Sequence, residues 1–577
     1  MAEQDTGPAS PIPTLEELQH WTWVMGRAQQ LMLEFTAAQM DQAPPQAPLG
    51  ALEELASAQV DFWTASMSMW QRAFLPAEDA AALAKKAAGD KRFAAPEWQQ
   101  NAFFDMIRQS YVLVSDQLLG SVDAMPGIDE DGRRKLRFTT QAFLDAMSPS
   151  NFPMTNPLVV QRTIDTGGEN LLKGLDNMLR DLAKGQLTHT DPDAFEVGRN
   201  IAVTPGKVIK QTPLYQLIQY APTTDEVLET PLIIFPPWIN RYYILDLNPK
   251  KSFIRWAVEQ GLTVFVVSWK SADESLAGTT IDDYVLAQAE AIDAVRDLLG
   301  TPSVHAIGYC VAGTMLAATL ALLEAQGQAD KVASATFFTA QVDFSSAGDL
   351  GLFVGDEQLQ LIQQLSADKG FLDGRYMAAT FNLLRGRDLI WNYVVNNYLM
   401  GEDYPPFDLL HWNGDTTNLP ATWHHAYLTQ LYRENRLVEA GGIVVDGVPI
   451  DLSRVRTPAY VQAGREDHIA PAESVWKITH HFAGPLRFVL AGSGHIAGVV
   501  NPPAAGKYSY WTNDAKVERL EDFIAGARET KGSWWPDWIA WIRERGEASV
   551  PAAGARIPGQ GALPAIEDAP GSYVRSR

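Results

Sequence analysis

After about residue 200 the chain alternates short apolar runs with longer segments of helical periodicity. These are Pro231 to Phe235, a helix near Phe253 to Gln260, Leu262 to Trp269, a helix over Tyr284 to Leu299, and Val304 to Ile307. Strand-length runs separated by helices predict a parallel sheet with helices on its faces. Two later runs, Ala459 to Gln462 and Arg487 to Leu490, fit the same sheet. In such sheets the chemistry lies at the carboxyl ends of the strands.

One of those ends carries the only cysteine in the chain, Cys310, inside Gly308-Tyr309-Cys310-Val311-Ala312-Gly313. The apolar strand before it and the run of Met315, Leu316, Leu320, Leu322 and Leu323 after it predict a strand that turns sharply into a buried helix. A nucleophile elbow has this form, and small residues two places either side of the nucleophile let strand and helix cross. Gly308 and Ala312 hold those places. The helix amides would favour a thiolate at Cys310. A buried thiol that merely fills core is the other reading of the same residues.

Nucleophile, acid and histidine follow one another in that order on loops after strands of an α/β-hydrolase sheet. After Tyr460-Val461-Gln462 comes Gly464-Arg465-Glu466-Asp467-His468, and after Phe488-Val489-Leu490 comes Gly492-Ser493-Gly494-His495. Asp467 and His495 thus stand where acid and base belong, with His468 in reserve or as a supporting residue. His305 falls inside a strand, His480 and His481 in a helical run, His20 and His189 in the helical N-terminal part, and His411, His424 and His425 in an insertion. A single cysteine excludes thiolate metal clusters, no adjacent-histidine pair is completed by a carboxylate motif, and neither a phosphate loop nor a dinucleotide fingerprint occurs. No metal and no cofactor are expected.

With 577 residues, 46% of them hydrophobic and 20% charged, the chain has material for two or more domains. A net charge of −23 disfavours a nucleic-acid binder. No apolar run reaches the roughly 18 residues of a membrane span, so no transmembrane segment is expected. The acidic start lacks a signal-peptide pattern, and a lone thiol asks for no oxidising compartment, which makes the cytoplasm the expected location.

The first two hundred residues are helical in pattern. Thr14-Leu15-Glu16-Glu17 opens an amphipathic segment to Phe35, a Pro/Gln/Ala linker spans Ala43 to Pro48, a second segment surrounds Phe62 to Phe74, and a third begins near Pro96. The expected organisation is a helical domain over 1–200 and a catalytic α/β domain over 201–577. A helical insertion over 341–439 would act as a lid.

The stretches Gly308 to Gly313, Gly464 to Ile469, and Ser493-Gly494-His495-Ile496-Ala497-Gly498-Val499-Val500-Asn501-Pro502-Pro503 resemble a polyhydroxyalkanoate synthase. So do Asn240-Arg241-Tyr242-Tyr243-Ile244-Leu245-Asp246-Leu247, Phe407 to Asp415, Gly532 to Trp538, and Met147 to Pro153. The length resembles the class I type, which prefers short-chain substrates. Two positions depart from the family: Ala312, where glycine is more frequent, and Trp238, where some members have cysteine.

The resemblance implies an α/β-hydrolase fold with a helical lid. It also implies polymerisation of (R)-3-hydroxyacyl-CoA into polyester with release of coenzyme A, on Cys310, Asp467 and His495. Val311 would donate its amide to the oxyanion, with a second donor near Trp238 to Asn240. Arg241, with Lys250, Lys251 and Lys270, is expected to meet the coenzyme's phosphates, and Trp412 to line the polymer tunnel. Either His495 or Asp467 could take the proton of the attacking hydroxyl. A homodimer working at the surface of polyester granules is implied as well. A thioesterase or depolymerase on the same fold, and a non-catalytic granule coat, are the alternatives.

Overall fold

The computed structural model describes residues 85–87 and 89–576. The segments expected over Thr14 to Phe35 and Phe62 to Phe74, the intervening linker and His20 lie outside the described residues. The chain divides into two compact units, one running to His189 and including Ala379–Pro405, the other made of Thr190–Ala378 and Pro406–Arg577.

The first unit is helical throughout its described part, with α1 (Ala102–Asp123), α2 (Glu130–Ala146), α3 (Pro157–Asp165) and α4 (Glu169–Lys184) as its main elements. Asn101 and Asp129 cap α1 and α2 by accepting hydrogen bonds from Phe103 and Gly132 amides. In the segment that begins near Pro96, Ile107 and Tyr111 are buried together with Phe93 and Trp98, whereas Phe103 is exposed. The Tyr111 hydroxyl donates to the Leu144 carbonyl at 2.8 Å, which ties α1 to the end of α2. The stretch Ala379–Pro405 is held on α4 by Asn170 and Asn177, whose amides donate to the Leu399 and Asn397 carbonyls at 2.7 and 3.0 Å. Gly174 permits that approach, because a Cβ there would lie 1.7 Å from the Tyr398 oxygen.

The second unit is built on one sheet of eleven strands. In chain order these are β1 (Gly206–Gln211), β2 (Tyr215–Tyr220), β3 (Leu232–Phe235), β4 (Val264–Trp269), β5 (Val304–Tyr309) and β6 (Val332–Phe338). They continue with β7 (Ala459–Gly464), β8 (Leu486–Ala491), β9 (Ser509–Thr512), β10 (Arg528–Lys531) and β11 (Glu567–Asp568). Across the sheet the order is β10-β9-β8-β7-β6-β5-β3-β4-β2-β1-β11. The six central strands from β8 to β4 run parallel, and the flanking pairs are antiparallel. The parallel strands are buried almost along their whole length, as expected of a sheet with both faces covered.

Helices α5 (Phe253–Glu259), α6 (Ile281–Leu299), α7 (Val311–Ala325) and α8 (Trp535–Arg543) accompany the sheet. One face packs on α6 and α7 through Tyr284, Ile292, Met315 and Leu316, the other on α5 and α8 through Phe253, Trp534, Trp535 and Trp538. The capping box of Thr280 and Asp283 starts α6, and left-handed Gly300 ends it. Between β6 and β7 the part of the insertion in this unit forms helices and π-helical turns, among them Tyr427–Arg433. No helix among the described residues is long and apolar enough to cross a membrane.

Candidate active site

Cys310 sits where β5 becomes α7, at φ 53° and ψ −127°. A non-glycine residue held there is strained, and such strain is tolerated where surrounding structure fixes it. The Cys310 amide donates to the Phe338 carbonyl at 2.9 Å, and its carbonyl accepts from the amides of Gly313 and Thr314. Gly308 and Ala312 were the expected close pair, but the close approach is Gly308 to Gly313. A Cβ on Gly308 would lie 2.5 Å from the Gly313 Cα, and one on Gly313 2.4 Å from the Ala340 Cβ. The methyl of Ala312 is accommodated because the crossing point falls one residue later. Val311 opens α7, so its amide belongs to the first turn, where no intrahelical carbonyl can accept it.

Asp467 and His495 follow β7 and β8, which pair in parallel up to Gly464 and Ala491. The two loops are stitched together, as the amides of Arg465 and Glu466 donate to the carbonyls of Ala491 and Ser493. His495 Nδ1 donates to Asp467 Oδ2 at 2.8 Å. The other carboxylate oxygen accepts from the amides of Ile469 and Ala470 at 2.8 and 2.9 Å, so Asp467 has both oxygens engaged and its side chain is 0% exposed. Burial opposes a charged imidazole, but the Asp467 carboxylate and the adjacent Cys310 outweigh it and push His495 up to about 10.

The loop carrying His495 is braced from behind. The Tyr309 hydroxyl donates to the His495 carbonyl at 3.0 Å, and the indole N–H groups of Trp534 and Trp535 donate to the Gly498 and Val499 carbonyls at 2.7 and 2.9 Å. Sequence reasoning passed over these three. Tyr309 was visible only as a neighbour of the thiol, and the tryptophans lie in a segment whose reach to this loop no local pattern reveals.

The other expected residues fall in varied places. His468 is half-buried beside Asp467, whose carboxylate meets His495 instead. Trp238 stacks on Tyr284 at 3.8 Å and meets Trp269 and Trp423 edge-on, and its carbonyl accepts from Thr417 Oγ1 at 2.5 Å. Asn240 Oδ1 accepts from the Arg241 amide at 2.8 Å. Trp412 is buried, its indole N–H donating to the Arg241 carbonyl at 2.7 Å. Arg241 corrects the phosphate expectation. It is 2% exposed, faces Asp415 at 3.5 Å, and donates to the carbonyls of Tyr573 and Ser576 at 3.3 and 2.8 Å. A guanidinium committed this way is withheld from a phosphate arriving from solvent. Lys251 pairs with Asp408 at 2.9 Å and Lys270 with Asp273, whereas Lys250 is exposed.

A thiol at a strand-to-helix elbow, with a histidine and a buried carboxylate presented by the two following parallel strands, defines an α/β-hydrolase-fold enzyme, and the alpha/beta hydrolase family model matches residues 221–502. The model described as poly-beta-hydroxybutyrate polymerase (PhaC) N-terminus matches residues 89–257. The chain is 46% identical to the poly(3-hydroxyalkanoate) polymerase subunit PhaC of Rhizobium meliloti, over 92% of this chain and 86% of that one. It is 48% identical to the poly(3-hydroxyalkanoate) polymerase of Methylorubrum extorquens, over 85% and 81%. Against the PhaC subunit of Cupriavidus necator the identity is 45%, over 85% and 83%. The chain belongs to the poly(3-hydroxyalkanoate) polymerases, and it is an acyltransferase.

Proposed function

We propose that the enzyme polymerises (R)-3-hydroxyacyl-CoA, with short-chain units such as 3-hydroxybutyryl-CoA, through an acyl thioester on Cys310. The observation that carries this reading is the hydrogen bond of His495 to the fully engaged Asp467, in a protein whose only cysteine stands at the strained strand-to-helix elbow. In the first half-reaction the Cys310 sulfur attacks the thioester carbonyl after His495 takes the thiol proton. Collapse of the tetrahedral adduct breaks the bond to the coenzyme sulfur, which leaves as coenzyme A with that proton. One thioester replaces another, so the transfer is close to balanced, whereas a serine ester would be too stable to pass on.

In the second half-reaction a 3-hydroxyl attacks an acyl thioester, the ester C–O bond forms as the C–S bond breaks, and the hydroxyl proton passes by way of a base to the departing sulfur. The base is needed because the hydroxyl is too weak an acid to ionise unaided. Asp467 has both oxygens occupied and no exposed side-chain surface, which favours His495 as the base and Asp467 as the group that orients the ring and stabilises imidazolium. The Val311 amide would stabilise the oxyanion, such a donor being worth about 100- to 1000-fold in rate.

We further propose a homodimer in the cytoplasm that moves to the surface of its insoluble product, on the strength of the family. Incubation with 3-hydroxybutyryl-CoA tests the central reading: free coenzyme A together with insoluble polyester is expected. Free coenzyme A with soluble monomeric acid alone would make the enzyme a thioesterase. A Cys310→Ala variant should release no coenzyme A, which a non-catalytic granule coat would not require.

A further inference from the structure

Tyr432 lies on the π-helical stretch Tyr427–Arg433, where no sequence motif pointed. Its hydroxyl oxygen accepts a hydrogen bond from Gln341 Nε2 at 3.1 Å. Gln341 is fixed at both ends. Its backbone carbonyl accepts from Thr314 Oγ1 at 2.7 Å, and its Oε1 lies 2.9 Å from Ser474 Oγ, which turns the amide nitrogen towards the tyrosine. Thr314 is one turn along the helix that Cys310 heads, and its amide donates to the Cys310 carbonyl at 3.1 Å. The Tyr432 hydroxyl is thereby tied through two residues to the first turn of the nucleophile's own helix. Phe344 and Tyr427 hold the ring, with centroids 4.7 and 5.4 Å away.

A phenol has one proton to give and an oxygen that accepts. Gln341 takes up the accepting side. The Tyr432 proton has no hydrogen-bond acceptor among the described residues. The residue is half-buried and therefore not sealed off from a ligand. Burial, and after it the charge of Cys310, keep its ionisation above the usual phenol range, so the proton is retained; Asp467 adds to the same effect. The hydroxyl thus lies in the field of both the nucleophile and the acid.

We propose that Tyr432 donates its hydroxyl proton in a hydrogen bond to the acyl carbonyl oxygen while Cys310 attacks that carbonyl, which makes it a catalytic residue acting with the Val311 amide. As the sulfur–carbon bond forms, the carbonyl π pair moves onto oxygen, and the donor steadies it until the coenzyme sulfur departs. The phenol proton stays on the tyrosine throughout. This inference rests on the acyl-cysteine reading above.

Tyr432→Phe keeps the ring and deletes the donor. With 3-hydroxybutyryl-CoA, kcat for coenzyme A release is expected to fall about 100-fold while KM moves less than about threefold, the size associated with one oxyanion donor. Melting temperature and the rate of Cys310 alkylation by iodoacetamide should stay at wild-type values, because thiol activation belongs to His495. Gln341→Leu, which frees the tyrosine to turn, should lower kcat in the same direction. A kcat within about threefold of wild type in Tyr432→Phe, or an alkylation rate that falls in step with kcat, overturns the proposal. Cys310→Ala separates the layers: if it still releases coenzyme A, the acyl-cysteine reading fails and this inference fails with it. If it is inert while Tyr432→Phe is fully active, only the role of Tyr432 is lost.

Discussion

Gly308 and Gly313 meet so closely that a Cβ on the first would lie 2.5 Å from the Cα of the second, and the strand before Cys310 can cross the helix after it only while both lack side chains. Gly313 carries a further constraint, since a Cβ on it would press on the Ala340 Cβ and the Gly308 carbonyl. Gly308→Ala and Gly313→Ala are expected to destabilise the enzyme by about 1–3 kcal/mol through overpacking. Both should slow coenzyme A release by about 100-fold through misplacement of the thiol. Ala312→Gly, one residue away, should do neither. Thermal unfolding alongside a thiol-release assay checks all three.

Asp467→Asn removes the countercharge of the His495 ring, so the ring's pKa should fall from about 10 towards the ordinary 6.5. The wild-type folded state holds this proton more tightly than the unfolded chain. The stabilisation is therefore complete below about pH 6.5 and is lost as pH rises through about 10. The stability gap between wild type and variant, measured by urea unfolding, should be widest in the acid part of that window and narrow towards its alkaline end. A gap independent of pH would contradict the assignment of charge to this pair. Activity should fall by about 1000-fold or more, as for other histidines deprived of their orienting carboxylate.

Trp534 donates its indole N–H to Gly498 in the loop that carries His495. Trp534→Phe keeps most of the packing but leaves a buried carbonyl unanswered, at an expected cost of about 1–3 kcal/mol. Trp541 lies in the same aromatic cluster with no hydrogen bond to that loop, so Trp541→Phe serves as a control. Activity corrected for folded fraction should drop in the first variant and hold in the second.

Arg241→Met tests whether this cation serves structure or coenzyme recognition. Loss of a partner from a buried pair costs about 3–5 kcal/mol, which should appear as a lowered melting temperature. The ratio of KM for a hydroxyacyl-CoA to KM for the matching hydroxyacyl-pantetheine should not change. A shift in that ratio would return Arg241 to the phosphate site.

The parallel core was legible because its strands are short continuous apolar runs, as Val304 to Tyr309 shows, and the order of Cys310, Asp467 and His495 could be read once those strands were placed. The antiparallel flanks were not legible. The strand Tyr215–Tyr220 is buried throughout yet contains Gln216 and Gln219, which break the apolar pattern. Gln216 is satisfied by Gln211, Glu567 and Ser572, and Gln219 by the Ala555 carbonyl, groups that lie mostly hundreds of residues away. Arg241 misled for a related reason. A cation next to a strand end resembles a phosphate ligand until its partners, Asp415 and the carbonyls of Tyr573 and Ser576, are brought in by the fold. Gln341 and Tyr432 carry no motif, and it is the hydrogen bonds from Thr314 to Gln341 and from Gln341 to Tyr432 that connect them to the elbow.

The strand Glu567–Asp568 closes the outer side of Gly206–Gln211, with Lys207 opposite Asp568. A chain cut short before Glu567 would keep the central strands and the elbow but leave Gly206–Gln211 as a bare edge with unpaired amides and carbonyls. Such an edge is a template on which other chains add strands. The expected fate of such a truncated polymerase is therefore self-association into protein aggregates, a form of insolubility separate from that of the polyester it makes.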